Sequence, residues 1–201
     1  MTAKHHIIYI PGLGDKRVNK LGQKLLIRLW RHRFRVSAEC FIVGWADQKS
    51  TLQSKLDQVH QKIIEAKQRG YIVSLVASSA GGSLAINALA RHHNDIHRTA
   101  IICGALASAD KVAPEVYKLN PMFKESMVAL PASFKKLTPH MRHNILSVKP
   151  LHDSIVNPKY QSIKDAPVLQ MPTSGHIYSI VIALTRYSRA IVDFVCDESR
   201  Q

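Results

Sequence analysis

The segment IVSLVASSAGGSLAINALARHH, Ile72 to His93, passes without a break from an apolar run into a helix-like pattern. Its first part is rich in Val, Leu and Ile and too short for a helix, as a strand covered on both faces is. If the strand ends at Ala77 and a helix begins near Ala80, the chain must reverse within a few residues. The residue at the apex is then held in a strained conformation, and its neighbours two positions away must be small. Centring the turn on Ser79 puts Ala77 and Gly81 at those positions, with Gly82 next; centring it on Ser78 puts Val76 and Ala80 there. Ser79 is the better apex.

Outward from this segment the same alternation repeats. Short apolar runs at 6–10, 38–43, 71–77, 99–106, 143–148 and 166–171 are separated by amphipathic stretches, the pattern of βαβ units and a parallel sheet. Ser50 and Gln53 read as a capping box for a helix whose apolar stripe is Leu52, Leu56, Val59 and Ile63, ended by Gly70. A last helix from near Ile177 is expected to bury Ile177, Ile180, Val181, Leu184, Ile191 and Val195. Between about 108 and 140, Pro114, Pro121, Pro131 and Pro139 cut the chain into short pieces, read as an excursion over one end of the sheet.

The 201 residues, 46% of them hydrophobic, suffice for one substantial core, so residues 1–201 are expected to form a single domain. The N-terminal apolar run stops at Pro11, too soon for a signal peptide. No window offers the roughly 20 uncharged apolar residues of a membrane span. A cytoplasmic protein is expected. Cys40, Cys103 and Cys196 are an odd number without metal-ligand spacing and read as free, buried thiols.

Lys and Arg outnumber Asp and Glu 28 to 14, a net charge of +14. That balance is compatible with nucleic acid, anionic lipid or acidic substrates. The charge gathers in KRVNKLGQKLLIRLWRHRFR, Lys16 to Arg35, which holds eight Lys and Arg and no acid. On a helix, Lys20, Lys24, Arg28, Arg31 and Arg35 form one basic face, and Leu21, Leu25, Leu26, Leu29 and Trp30 are expected to be buried. Such a face is either simply solvated or a contact for a polyanion. The basic and aromatic interleaving that would sharpen a nucleic-acid reading is absent.

The turn Ala77-Ser78-Ser79-Ala80-Gly81 resembles the nucleophile elbow of the α/β-hydrolase superfamily, small-x-nucleophile-x-small, with Ala where Gly is usual. Two later loops extend the resemblance. KPLHDSIVNP, after the fifth apolar run, resembles the family's acid loop with Asp153; PTSGHIYSI, after the sixth, resembles its histidine loop with His176. Asp110, after the fourth run, ranks second as the acid, and His140 and His152 are other imidazoles nearby. The loop PGLGD after the first run resembles the family's oxyanion loop, with Pro in place of the usual His; Leu13 N–H is the implied donor and Gly14 an alternative. Ala80 N–H is the other implied donor.

The resemblance runs from His6 to Val195. It implies six mainly parallel strands in the order 2-1-3-4-5-6, helices on both faces, and a small or absent cap. It further implies a serine hydrolase acting on an ester, thioester or related acyl bond, with catalytic Ser79, Asp153 and His176 and no metal or cofactor. The competing reading is a hydrolase-like fold kept for binding, whose basic helix contacts nucleic acid or an acidic partner.

Overall fold

The computed structural model describes residues 4–14 and 17–199, and of residues 17–21 the backbone alone. Six strands, β1 (Lys4–Ile10), β2 (Ser37–Cys40), β3 (Tyr71–Ser78), β4 (Thr99–Ile102), β5 (Ile145–His152) and β6 (Val168–Ser174), form one sheet. Its order is β2-β1-β3-β4-β5-β6 and every pair is parallel, as the alternation of runs implies. The order reverses between β1 and β3. In open parallel sheets that switch point, outside the carboxyl ends of the strands, is where a crevice forms.

Alternation along the strands divides the core into two layers. Ile8, Ile10, Leu75 and Ala77 face α2 (Leu52–Gln68), α3 (Gly81–His92) and α5 (Pro121–Lys136). Ile7, Tyr9 and Val76 face α1 (Arg17–Phe34), α7 (His176–Thr185) and α8 (Ser188–Val195). The proline-cut excursion resolves into α4 (Pro114–Leu119), α5 and α6 (Pro139–His143), each with proline in its first turn, where the missing N–H costs nothing. Pro131 does not break α5, because Met127 and Leu130 are anchored in the core beside α3 while Pro131 itself faces water.

Several local expectations are corrected. The α2 cap is Thr51 paired with Ser54, one residue later than expected, because the Ser50 hydroxyl is taken by Asp47 at 2.6 Å. The fourth strand stops at Ile102, where Cys103 turns with φ 48°. The last helix is two: Tyr187 N–H bonds back to Ile182 O, and the Ser188 hydroxyl donates to Thr185 O, opening a break before α8. Ile177 and Val181 are exposed rather than buried, and so are Leu25 and Leu29 of α1. Of that helix, Ile27 and Trp30 carry the packing, Trp30 donating its indole N–H to Leu184 O at 2.8 Å. The side chains of Lys20 and Leu21 lie outside the described residues.

Candidate active site

Three loops meet at the switch point. Ser79 follows β3 directly and holds φ at 50°, a left-handed conformation costing a non-glycine residue about 1–2 kcal/mol. The surrounding backbone fixes it there: Ser79 N–H donates to Ile102 O at 2.9 Å, and its carbonyl accepts from Gly82 and Ala105 N–H. Small neighbours are required by space. A Cβ on Gly81 would lie 2.2 Å from Ile10 O, so no side chain fits where α3 starts against the end of β1. A Cβ on Gly12 would lie 2.6 Å from the Ser79 Cβ, which shows how closely the loop after β1 passes the serine.

Ser78, whose role the sequence leaves open, is the buried last residue of β3. Its hydroxyl meets the Tyr9 hydroxyl at 2.7 Å in a fully buried pair. Burial is the main reason the Tyr9 phenol is pushed well above its ordinary value, so it stays neutral.

The β5 and β6 loops bring the other two groups. His176 opens α7 after Gly175, and Asp153 follows the last residue of β5. His176 Nε2 lies 2.9 Å from Ser79 Oγ, and its Nδ1 lies 2.7 Å from Asp153 Oδ2. An ionised carboxylate can only accept, so Nδ1 carries the proton and Nε2 presents its lone pair to the serine hydroxyl. Asp153 is held from three further sides. Its Oδ1 accepts from Ile155 and Val156 N–H at 2.9 and 3.0 Å, and its Oδ2 accepts from Gln161 Nε2 at 2.7 Å. Gln161 is fully buried and ties the same loop down through Val156 O. Burial pushes the Asp153 carboxyl up, but the bonds from His176 and from Val156 and Ile155 N–H outweigh it, and the net result lies below the ordinary carboxylate value.

The other candidates fall elsewhere. Asp110 is exposed and engages Ser108 and Lys111. His140 meets Asn144, and His152 is exposed on the last residue of β5. Among the described residues, no group accepts a hydrogen bond from the Leu13 or Ala80 amide, which leaves both free beside Ser79. Cys103, fully buried, lies beside the pair: its Sγ and one ligand atom each of Asp153 and His176 are within 4.8 Å of one another. Burial, with a smaller contribution from Asp153, pushes the Cys103 thiol up to about 12, which keeps it protonated and a poor metal ligand at neutral pH.

A cavity of about 530 Å³ opens at Ser79 and His176 between α1 and α7. Leu13, Leu26, Ile155, Ile177, Ile180 and Val181 supply much of its apolar lining. No residue of the 108–140 excursion lines it. Tyr9 and this wall escape a sequence reading because their partners are distant in the chain, and Gln161 escapes it because only the folding back of the loop after β5 brings its amide to Asp153.

No family model matches this chain, and no curated protein matches its sequence. Solved structures do match. One from a study of the metagenome-derived lipolytic enzymes LipS and LipT aligns with a TM-score of 0.69 at 13% identity, covering 94% of each chain. Est1E from Butyrivibrio proteoclasticus gives 0.67 at 12% identity, covering 98% of this chain and 90% of that one. A monoacylglycerol lipase from Paleococcus ferrophilus gives 0.64 at 14%, covering 96% of each. At such identities the likeness is one of fold.

Proposed function

We propose that this chain, which has the α/β-hydrolase fold, is a serine hydrolase that cleaves a carboxylic ester, thioester or related acyl bond through an acyl-enzyme. The observation that carries this reading is the unbroken hydrogen-bond chain from Ser79 Oγ through His176 to the buried Asp153 carboxylate. In the first step Ser79 Oγ bonds to the acyl carbon while His176 Nε2 takes its proton. The Leu13 and Ala80 amides receive the oxyanion. The bond to the leaving group then breaks, His176 returns the proton to the departing oxygen or sulfur, and the acyl group stays on Ser79. Water repeats the sequence, with Nε2 as base again, and the carboxylic acid leaves. Asp153 keeps the imidazole in the useful tautomer and stabilises the imidazolium. No step calls on a metal or cofactor.

The apolar wall between α1 and α7 favours an apolar acyl group there. Residues 1–201 act in this reading as one domain, with 108–140 an excursion beside it. Three free thiols fit a cytoplasmic setting. The test is hydrolysis of p-nitrophenyl esters of increasing acyl length. KM should fall about fourfold per added methylene until the cavity is filled, at roughly 0.8 kcal/mol each. Folded protein that cleaves none of the series would overturn the proposal.

A further inference from the structure

Two expectations about burial fail together, and on the same side of the molecule. Leu25 and Leu29 of α1 are 59% and 52% exposed, and Ile177 and Tyr178 of α7 are 65% and 59% exposed. Val181 and Ile155 are exposed as well. These two helices are the ones between which the Ser79 cavity opens, and Ile155, Ile177 and Val181 are both exposed and part of its wall. The apolar surface is therefore a rim around the entrance to the site. Single exposed apolar residues are ordinary, but a cluster of this kind flanking a cavity mouth marks a surface that meets something apolar.

Charge says what that is. Lys24, Arg28 and Arg31 stand exposed on α1 beside Leu25 and Leu29, and Arg186 stands exposed just past α7. Neither helix carries an acidic residue. None of Lys24, Arg28 and Arg31 forms an ion pair among the described residues. A second cavity continues the seam, sharing Leu26 and Leu184 with the first and ending at His32 and Arg33. Apolar side chains flanked by cations that pair with no described acid, on two helices that carry no acid, match the depth profile of an anionic lipid surface. The apolar groups enter the acyl boundary while the cations meet headgroups. No described helix is long and apolar enough to cross a membrane, so the fit is to lying on one.

We infer that the α1–α7 face docks on an anionic lipid surface, and that the acyl substrate enters the Ser79 cavity from that surface. The second half rests on the hydrolase reading; the docking does not. Nucleic acid would use the same cations but would leave the apolar rim exposed.

Vesicle co-sedimentation separates the two halves, because it needs no turnover. The Ser79→Ala chain should bind mixed phosphatidylcholine–phosphatidylserine vesicles as wild type does, and phosphatidylcholine vesicles at least tenfold more weakly. Each removed cation should cost about fivefold, read from Lys24→Gln and Arg28→Gln. Leu25→Ser with Tyr178→Ser should lower binding by about tenfold or more. Neither residue lines the cavity, so cleavage of a water-soluble ester should stay within about twofold of wild type, which also certifies folding. Absence of binding to the mixed vesicles, or binding that the Leu25→Ser/Tyr178→Ser variant leaves intact, would overturn the docking. Binding without any esterase activity would instead remove the hydrolase reading and leave the docking standing.

Discussion

Asp153→Asn changes one atom in the chain that orients His176, and its consequences can be worked from the contacts. Ile155 and Val156 N–H both donate to Oδ1, so the new amide must keep its oxygen there. Its NH2 then faces His176 Nδ1 and Gln161 Nε2, both donors in the native arrangement. The imidazole can answer only by moving its proton to Nε2, where it points at Ser79 Oγ and can no longer accept. Loss of the base tautomer costs about 10⁴-fold in kcat where such a group has been removed this way, about 5.5 kcal/mol of transition-state stabilisation. Gln161, left with a donor against a donor in a dry site, adds about 1–3 kcal/mol of lost stability. Steady-state hydrolysis of a p-nitrophenyl ester reads the first effect and urea unfolding the second. Asp110→Asn serves as the control, since that carboxylate is exposed and engages Ser108 and Lys111, and it should leave kcat unchanged. Activity of Asp153→Asn within tenfold of wild type would refute the assignment of the orienting acid.

Three further outcomes follow from the same contacts. Gly12→Ala places a Cβ 2.6 Å from that of Ser79, and the shift it forces on the serine should lower kcat by about 10²-fold in the same assay. Tyr9→Phe and Ser78→Ala should each cost about 1–3 kcal/mol in urea unfolding by stranding one buried hydroxyl, whereas the double variant should cost less than their sum; strict additivity would deny the pair. Because Asp153 titrates below its ordinary value in the folded state, its stabilisation is fully present above the unfolded value of about 3.9 and is lost as pH falls through the folded one. Urea midpoints taken from about pH 5 downward should therefore drop more steeply for wild type than for Asp153→Asn.

The architecture was legible because parallel strands covered on both faces leave an unambiguous trace, short Ile- and Val-rich runs separated by amphipathic helices. Ser79 stands out through sterics: the positions two residues away have to be small, and Gly81 is pressed on Ile10 O. Asp153 and His176 are legible as candidates through their loops, each at the carboxyl end of its own strand, and the fold brings both into one hydrogen-bonded chain with Ser79. What stays hidden depends on how the chain folds back. Nothing near Ser78 in the chain points to Tyr9, 69 residues away, and although Gln161 is only eight residues from Asp153, the loop carries no periodicity that shows its amide turning inward to the acid. The exposure of Leu25 and Leu29 is illegible in the sequence for a related reason. Helical periodicity identifies an apolar stripe, but only the position of α7 decides how much of the stripe the sheet covers.

If Ser79 is a nucleophile activated by His176, a fluorophosphonate probe reads it most directly, since the probe requires an activated serine and no knowledge of the natural substrate. Wild type should be labelled covalently at Ser79, Ser79→Ala not at all, and His176→Ala much more slowly. Folded wild-type protein that takes up no probe, or a Ser79→Ala variant that labels as fast as wild type, would contradict that role for Ser79.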